Sequence, residues 1–211
     1  MHRYLTEFIG TFFLVLTIGL TAVNGSMAAP LAIGLVLMVV VYMGGHVSGA
    51  HYNPAITLAL YLRGTHEGSQ ILPYMAAQVL GAWVAAGAVL ILTGSTFAPA
   101  PGPEASVMAV LLSEILLTFA LALVIMNVAT SKKTEGNQYF GLAIGLTVTA
   151  GAYSVGPISG GAFNPAVGIG PIMVDTLAGD GSFGNLWFYL AGPLVGAACA
   201  VPVFKLQEAG E

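Results

Sequence analysis

Apolar residues run almost without interruption through six stretches of this chain, near residues 5–24, 30–47, 70–93, 107–129, 138–157 and 184–205. Each is long enough for a helix of about 20 residues, the length that crosses the apolar layer of a bilayer. None shows the alternating ten-residue pattern of a membrane β-barrel strand. Two further apolar segments, 54–62 and 165–174, have about half that length, which predicts pieces that enter and leave on one side of the membrane. The pattern therefore predicts an all-α membrane protein of six transmembrane helices and two re-entrant half-helices.

The pattern is also written twice. Asn53-Pro54-Ala55 returns as Asn164-Pro165-Ala166, an offset of 111 from position 53 to position 164. At the same offset Leu31-Ala32-Ile33-Gly34-Leu35 returns as Leu142-Ala143-Ile144-Gly145-Leu146, and Ser48-Gly49 as Ser159-Gly160. A tripeptide recurs by accident; three matches at one offset indicate internal duplication. Glu7-Phe8-Ile9-Gly10-Thr11-Phe12 and Glu114-Ile115-Leu116-Leu117-Thr118-Phe119 place the first span inside the repeat rather than in a cleaved leader. The expectation is one membrane domain, 1–211, built from two copies of about 1–95 and 106–211. Three crossings per copy invert the second, and the binding site or pore of such a protein lies where the copies meet.

Composition agrees with a membrane setting: 57% of residues are hydrophobic and 7% charged, and mean hydropathy is +0.89. Charge then adds orientation. With six crossings, Arg3, Arg63, Lys132, Lys133 and Lys205 all fall on one side, whereas Glu104, Asp175 and Asp180 fall on the other. By the positive-inside rule the basic side, and both termini with it, is cytoplasmic, as for a plasma or inner membrane protein. Cys199 stands alone and reads as a small packing residue. The sequence has no phosphate loop, zinc spacing or nucleophile elbow, so neither an enzyme, a cofactor, a metal nor a nucleic-acid partner is expected.

The candidate chemistry lies at the repeated tripeptide. Asn is a favoured helix cap and Pro a favoured first helical residue, so each Asn-Pro starts a half-helix at mid-membrane. Inversion makes the two starts face each other, with the positive ends of both helix dipoles converging. If each Asn carbonyl oxygen caps its helix, each NH2 is left free to donate into the space between. A water there accepts from both and donates outward in both directions, which interrupts a proton wire, while the dipoles repel cations. The Gly-rich residues 44–51 and 156–162 are expected to be unwound, and their carbonyls, those of Gly45, His46, Val47, Ser48, Ser159, Gly160 and Ala162 among them, to line a wet path.

Ser48-Gly49-Ala50-His51-Tyr52-Asn53-Pro54-Ala55-Ile56-Thr57 and Ser159-Gly160-Gly161-Ala162-Phe163-Asn164-Pro165-Ala166 resemble the paired signatures of the aquaporin, or major intrinsic protein, family. Ala77-Gln78-Val79-Leu80-Gly81, Gly192-Pro193-Leu194-Val195-Gly196 and Gly170-Pro171 are similar to the family at their places. The resemblance implies a right-handed bundle of six helices and two half-helices, one pore per subunit, and a homotetramer. It also implies that an outer constriction sets selectivity; carried over by distance from the Asn residues, its members are Ile33, Ala152, Gly161 and Val167. Most relatives have an Arg where Val167 stands, and water-selective members have a His where Ala152 stands. The Asp and longer insertions of glycerol-selective members are missing from Val167-Gly168-Ile169-Gly170 and its surroundings.

A filter without Arg and His is wider and has no side-chain donor, so it is expected to admit water and small neutral solutes such as glycerol, urea, hydrogen peroxide or ammonia. Glu7 and Glu114, expensive in a membrane unless partnered, are implied by the resemblance to hold the backbone of the re-entrant loops. His46 and His51 read as loop-stabilising residues, and His2 and His66 as solvated. A non-conducting or gated structural protein and an alternating-access transporter are the alternatives to a passive channel.

Overall fold

The computed structural model describes residues 1–209, and all of its regular structure is helical. Eight α-helices follow one another: α1 (His2–Val23), α2 (Ala29–Ser48), α3 (Pro54–Arg63), α4 (Ile71–Thr93), α5 (Val107–Ile125), α6 (Phe140–Ser159), α7 (Pro165–Ala178) and α8 (Leu186–Ala209). α1, α2, α4, α5, α6 and α8 are long and apolar enough to cross a membrane; α3 and α7 are short. A π-helical turn, Met126–Thr130, extends α5.

The packing repeats with the sequence. α1 packs on α2 and α4, as α5 packs on α6 and α8; α2 and α6 pack on each other. The half-helices cross over, α3 packing on α8 and α7 on α4, so each copy completes the other. Large hydrophobic side chains such as Leu72, Ile91, Leu92 and Leu116 face outward. In water that surface would aggregate; in lipid it is the solvated face.

Glycines set how close the long helices come. A Cβ on Gly81 of α4 would strike the Phe8 carbonyl of α1, and one on Gly196 of α8 would strike the Ile115 carbonyl of α5. At the α2–α6 crossing Gly34 and Gly145 each lie against the other's carbonyl oxygen. Lipid gives no hydrophobic drive for helix association, so such small-residue contacts hold the bundle through close packing. Gly196→Val is accordingly expected to destabilise the protein by about 2 kcal/mol or more, read as a lower melting temperature in detergent.

Two features depart from the sequence expectation. The Gly-rich residues before each tripeptide are mostly helical: α2 continues to Ser48 and α6 to Ser159. Gly49 (φ 88°) and Gly160 (φ 89°) end these helices in left-handed conformation and donate to Gly45 O (3.0 Å) and Gly156 O (2.9 Å). Staying helical satisfies the backbone internally, which the membrane demands, and only one glycine per copy is needed for the stop. α7 also outruns its expected end near residue 174, continuing to Ala178.

Candidate functional site

The five residues between each long helix and its half-helix, 49–53 and 160–164, form a tight loop held by one buried carboxylate. Glu7 Oε1 accepts from Ser48 Oγ (2.6 Å) and His51 N (3.0 Å), and Oε2 from Tyr52 N (2.7 Å) and Gln78 Nε2 (2.8 Å). Glu114 repeats this with Ser159 Oγ (2.8 Å), Ala162 N (3.1 Å) and Phe163 N (2.7 Å). Both carboxylates are fully buried. What they hold is strained backbone: Ala50, Tyr52 and Phe163 have φ of 51°, 49° and 52°, and Gly161 has 65°. Non-glycine residues there cost roughly 1–3 kcal/mol each, offset by charge-assisted hydrogen bonds to the carboxylate.

The strained loops aim their carbonyls and Asn residues at one another. Asn53 Oδ1 accepts from Ala55 N and Asn164 Oδ1 from Ala166 N, each at 2.9 Å, so each Asn caps its half-helix. Their amides reach across: Asn53 Nδ2 donates to Phe163 O (2.9 Å) and Asn164 Nδ2 to Tyr52 O (2.8 Å). Half of each NH2 is thus already used, correcting the expectation of a free amide; one N–H per Asn remains. The reason lies across the two copies, since the Tyr52 and Phe163 carbonyls are carried by left-handed residues outside any helix and need donors.

Asn53 and Asn164 line a cavity of about 270 Å³ that also touches Ile33, Ala152, Gly161 and Val167. Its other walls are apolar, including Leu14, Ile18, Leu37 and Val148, and among the described residues no Asp, Glu, Lys or Arg lines it. Two titratable rings sit in residues on the wall, and both turn away: Tyr52 Oη donates to Val40 O (2.9 Å), and His51 Nδ1 lies 3.1 Å from Thr57 Oγ1. A second cavity of about 520 Å³ adjoins it, sharing Val41, Ala50, Ile56, Ile125 and Ile144 and reaching the loop at Lys132 and Glu135.

These features coincide with a family match: the model of the major intrinsic protein family fits residues 1–204. The chain belongs to that family. It is 37% identical to aquaporin NIP1-1 of Zea mays and 36% identical to aquaporin NIP1-1 of Oryza sativa subsp. japonica, each alignment covering 98% of this chain and 74% of the relative. Among solved structures it is similar to the aquaglyceroporin from Plasmodium falciparum, with a TM-score of 0.86 and 25% identity over 97% of this chain and 98% of that one. As a major intrinsic protein it is an integral membrane channel for water and small solutes, not an enzyme.

Within the major intrinsic protein fold the expected site residues separate into three groups. Asn53, Asn164, Ile33, Ala152, Gly160, Gly161, Ala162 and Val167 line the first cavity, and Gly45 the second. Pro54, Ala55, Pro165 and Ala166 begin the half-helices and are buried in protein. His46, Val47, Ser48 and Ser159 line neither cavity. The Ser48 and Ser159 carbonyls accept instead from Tyr74 Oη (2.9 Å) and Tyr189 Oη (2.6 Å), away from both cavities. This corrects the carbonyl reading, because helix ends here find protein donors.

Sequence reasoning overlooked Tyr74, which stands four residues before Gln78 on the same face of α4 and caps the Ser48 carbonyl. It also placed His66 in solvent. The His66 ring instead sits against His51 and Tyr74, with centroids 4.7 and 4.5 Å away. Burial holds its imidazole below the usual histidine range.

Proposed function

We propose that the chain is a passive pore for water and small uncharged solutes, glycerol, urea, hydrogen peroxide or ammonia among them, that excludes ions and protons. The single observation carrying this is the cavity that joins both Asn caps to Ile33, Ala152, Gly161 and Val167 without a charged side chain. A solute there meets one donor from each Asn, backbone carbonyls, and otherwise apolar walls. The converging N-termini of α3 and α7 disfavour cations, and two donors facing one water orient it against proton hopping.

Ile33, Ala152, Gly161 and Val167 act in this reading as the outer selectivity filter, and the two sequence copies as the inverted halves around the pore. The basic residues support cytoplasmic termini: Lys205 Nζ donates to Leu62 O and Arg63 to Thr130, two residues from Lys132, gathering four of the five cations at one end. We further propose a homotetramer in a plasma or inner membrane, with the outward apolar faces divided between lipid and neighbouring subunits.

The reading is tested with purified protein in liposomes that carry a pH-sensitive dye, under an osmotic and then a proton gradient. Fast shrinkage with no proton entry above that of empty liposomes is expected. Asn164→Asp places a carboxylate where the dipoles converge and removes a donor. It is expected to raise cation or proton leak about tenfold or more, with water flux kept. A leak already present in the unsubstituted protein would sink the exclusion claim.

A further inference from the structure

The first and second cavities meet at five residues: Val41 of α2, Ala50, Ile56 of α3, Ile125 of α5 and Ile144 of α6. All are buried and none has a polar side chain. A molecule moving from Asn53 and Asn164 toward the loop at Lys132 and Glu135 crosses this ring and meets no side-chain donor or acceptor in it.

Two members of the ring are placed by one tie. Ile125 is the last α-helical residue of α5, and the π-helical turn Met126–Thr130 follows it directly. Side chains there take carbonyls that the α-helical ladder would use: Asn127 Nδ2 donates to Leu123 O (2.9 Å), and Thr130 Oγ1 to Met126 O (2.7 Å). Such bonds compete with the ladder and let it slip into the wider turn. Arg63 then holds the end of that turn, donating from Nη2 to Thr130 O (2.9 Å) and from Nε to Thr130 Oγ1 (2.8 Å). Arg63 ends α3 and stands seven residues after Ile56, on the same helix face. Tying Arg63 to the end of α5 therefore turns Ile56 toward Ile125. The Arg63 guanidinium also lies over the Phe204 ring of α8, 4.5 Å from its centroid, so it is held on two sides.

We infer that Val41, Ile56, Ile125 and Ile144 form a second constriction, between the Asn pair and the mouth at Lys132, that limits flux by dewetting, and that Arg63 is the positioning residue keeping it narrow. This rests on the reading of a passive pore above. The outer filter selects by shape, whereas this ring acts on every hydrogen-bonding permeant. Each must shed partners that four aliphatic side chains cannot replace. Lysine in place of Arg63 offers a point charge instead of a fork and cannot reproduce both bonds to Thr130.

The test uses the full chain in liposomes and reads water permeability per protein together with its temperature dependence, which is steep where hydrogen bonds must be shed. Ile144→Thr brings in a hydroxyl whose oxygen can accept from a passing water. It is expected to raise water permeability about threefold and to flatten the temperature dependence. Ile144→Val, of the same shape but without the hydroxyl, should give distinctly less. Arg63→Lys should also raise permeability, and combined with Ile144→Thr should add less than its separate effect, since both act on one ring. If Ile144→Thr does not fold, Ile125→Thr carries the same expectation. An unchanged permeability in folded Ile144→Thr, or an equal rise in Ile144→Val, would overturn the dewetting ring. Fully additive effects of Arg63→Lys and Ile144→Thr would overturn the positioning role. Because the ring is read on water, an unsubstituted protein that passes water but no glycerol or urea overturns the solute range alone. No water flux in any of these proteins would overturn the pore and the ring together.

Discussion

Val167→Arg is expected to turn the channel into one that passes water and rejects glycerol and urea. Val167 is the third residue of α7 and lines the cavity beside Gly161, Ile33 and Ala152. It is only 3% exposed, so a longer side chain has nowhere to go but into the path. A guanidinium there brings several donors and a fixed charge into a ring that now has none. It sits unfavourably near the positive end of α7, at a cost of about 0.3–1 kcal/mol, which the neighbouring loop carbonyls can offset. Glycerol reswelling of liposomes should slow about tenfold or more while water flux stays within about threefold. Ala152→His added to it should deepen the loss. Undiminished glycerol uptake by the double variant would place the filter elsewhere.

The largest effect on folding is expected at the buried carboxylates. Glu114→Ala removes the acceptor of Ser159 Oγ, Ala162 N and Phe163 N at once. Each buried donor left unpaired costs about 1–3 kcal/mol, and the left-handed Phe163 backbone loses what holds it. Three such donors total roughly 3–9 kcal/mol, a large share of the roughly 5–15 kcal/mol by which proteins are stable. Little monodisperse protein should survive detergent extraction. Glu7→Ala should be at least as damaging, since Glu7 also holds Gln78. Glu114→Gln, which keeps one carbonyl oxygen, should fall between. A melting temperature for Glu114→Ala equal to that of the unsubstituted protein would show that the loop does not depend on the carboxylate.

How much of this was readable beforehand depended on how local the governing physics is. Six helices were legible because a bilayer imposes length and polarity on each span directly. The helix starts at Asn53 and Asn164 were legible because capping involves only a residue and its near neighbours, Ala55 and Ala166. The duplication tied together residues 111 apart that no propensity would have linked.

Tertiary hydrogen bonds were harder to foresee. The Asn amides were expected to be free, and one N–H of each is taken by a carbonyl 110 or 112 residues away in sequence. The glycines at 44, 45 and 156 suggested unwinding, but a helix in lipid has more to gain by continuing until a left-handed glycine stops it. The place of Phe97, Ala98 and Pro99 on the first cavity, in the connection 94–106 between α4 and α5, gave no signal at all. The sequence there is that of an ordinary proline-rich connection, and its place on the cavity follows from docking to Asp175 and Ile158.

The central claim is that an apolar filter without a side-chain donor leaves the pore open to neutral solutes larger than water. Stopped-flow light scattering on liposomes containing the purified protein, with sucrose, glycerol and urea gradients in parallel, tests it most directly. The account predicts fast shrinkage in sucrose and rapid reswelling in glycerol and urea. Fast shrinkage with no reswelling beyond that of empty liposomes would contradict it, since the constriction would then be as strict as one closed by an arginine.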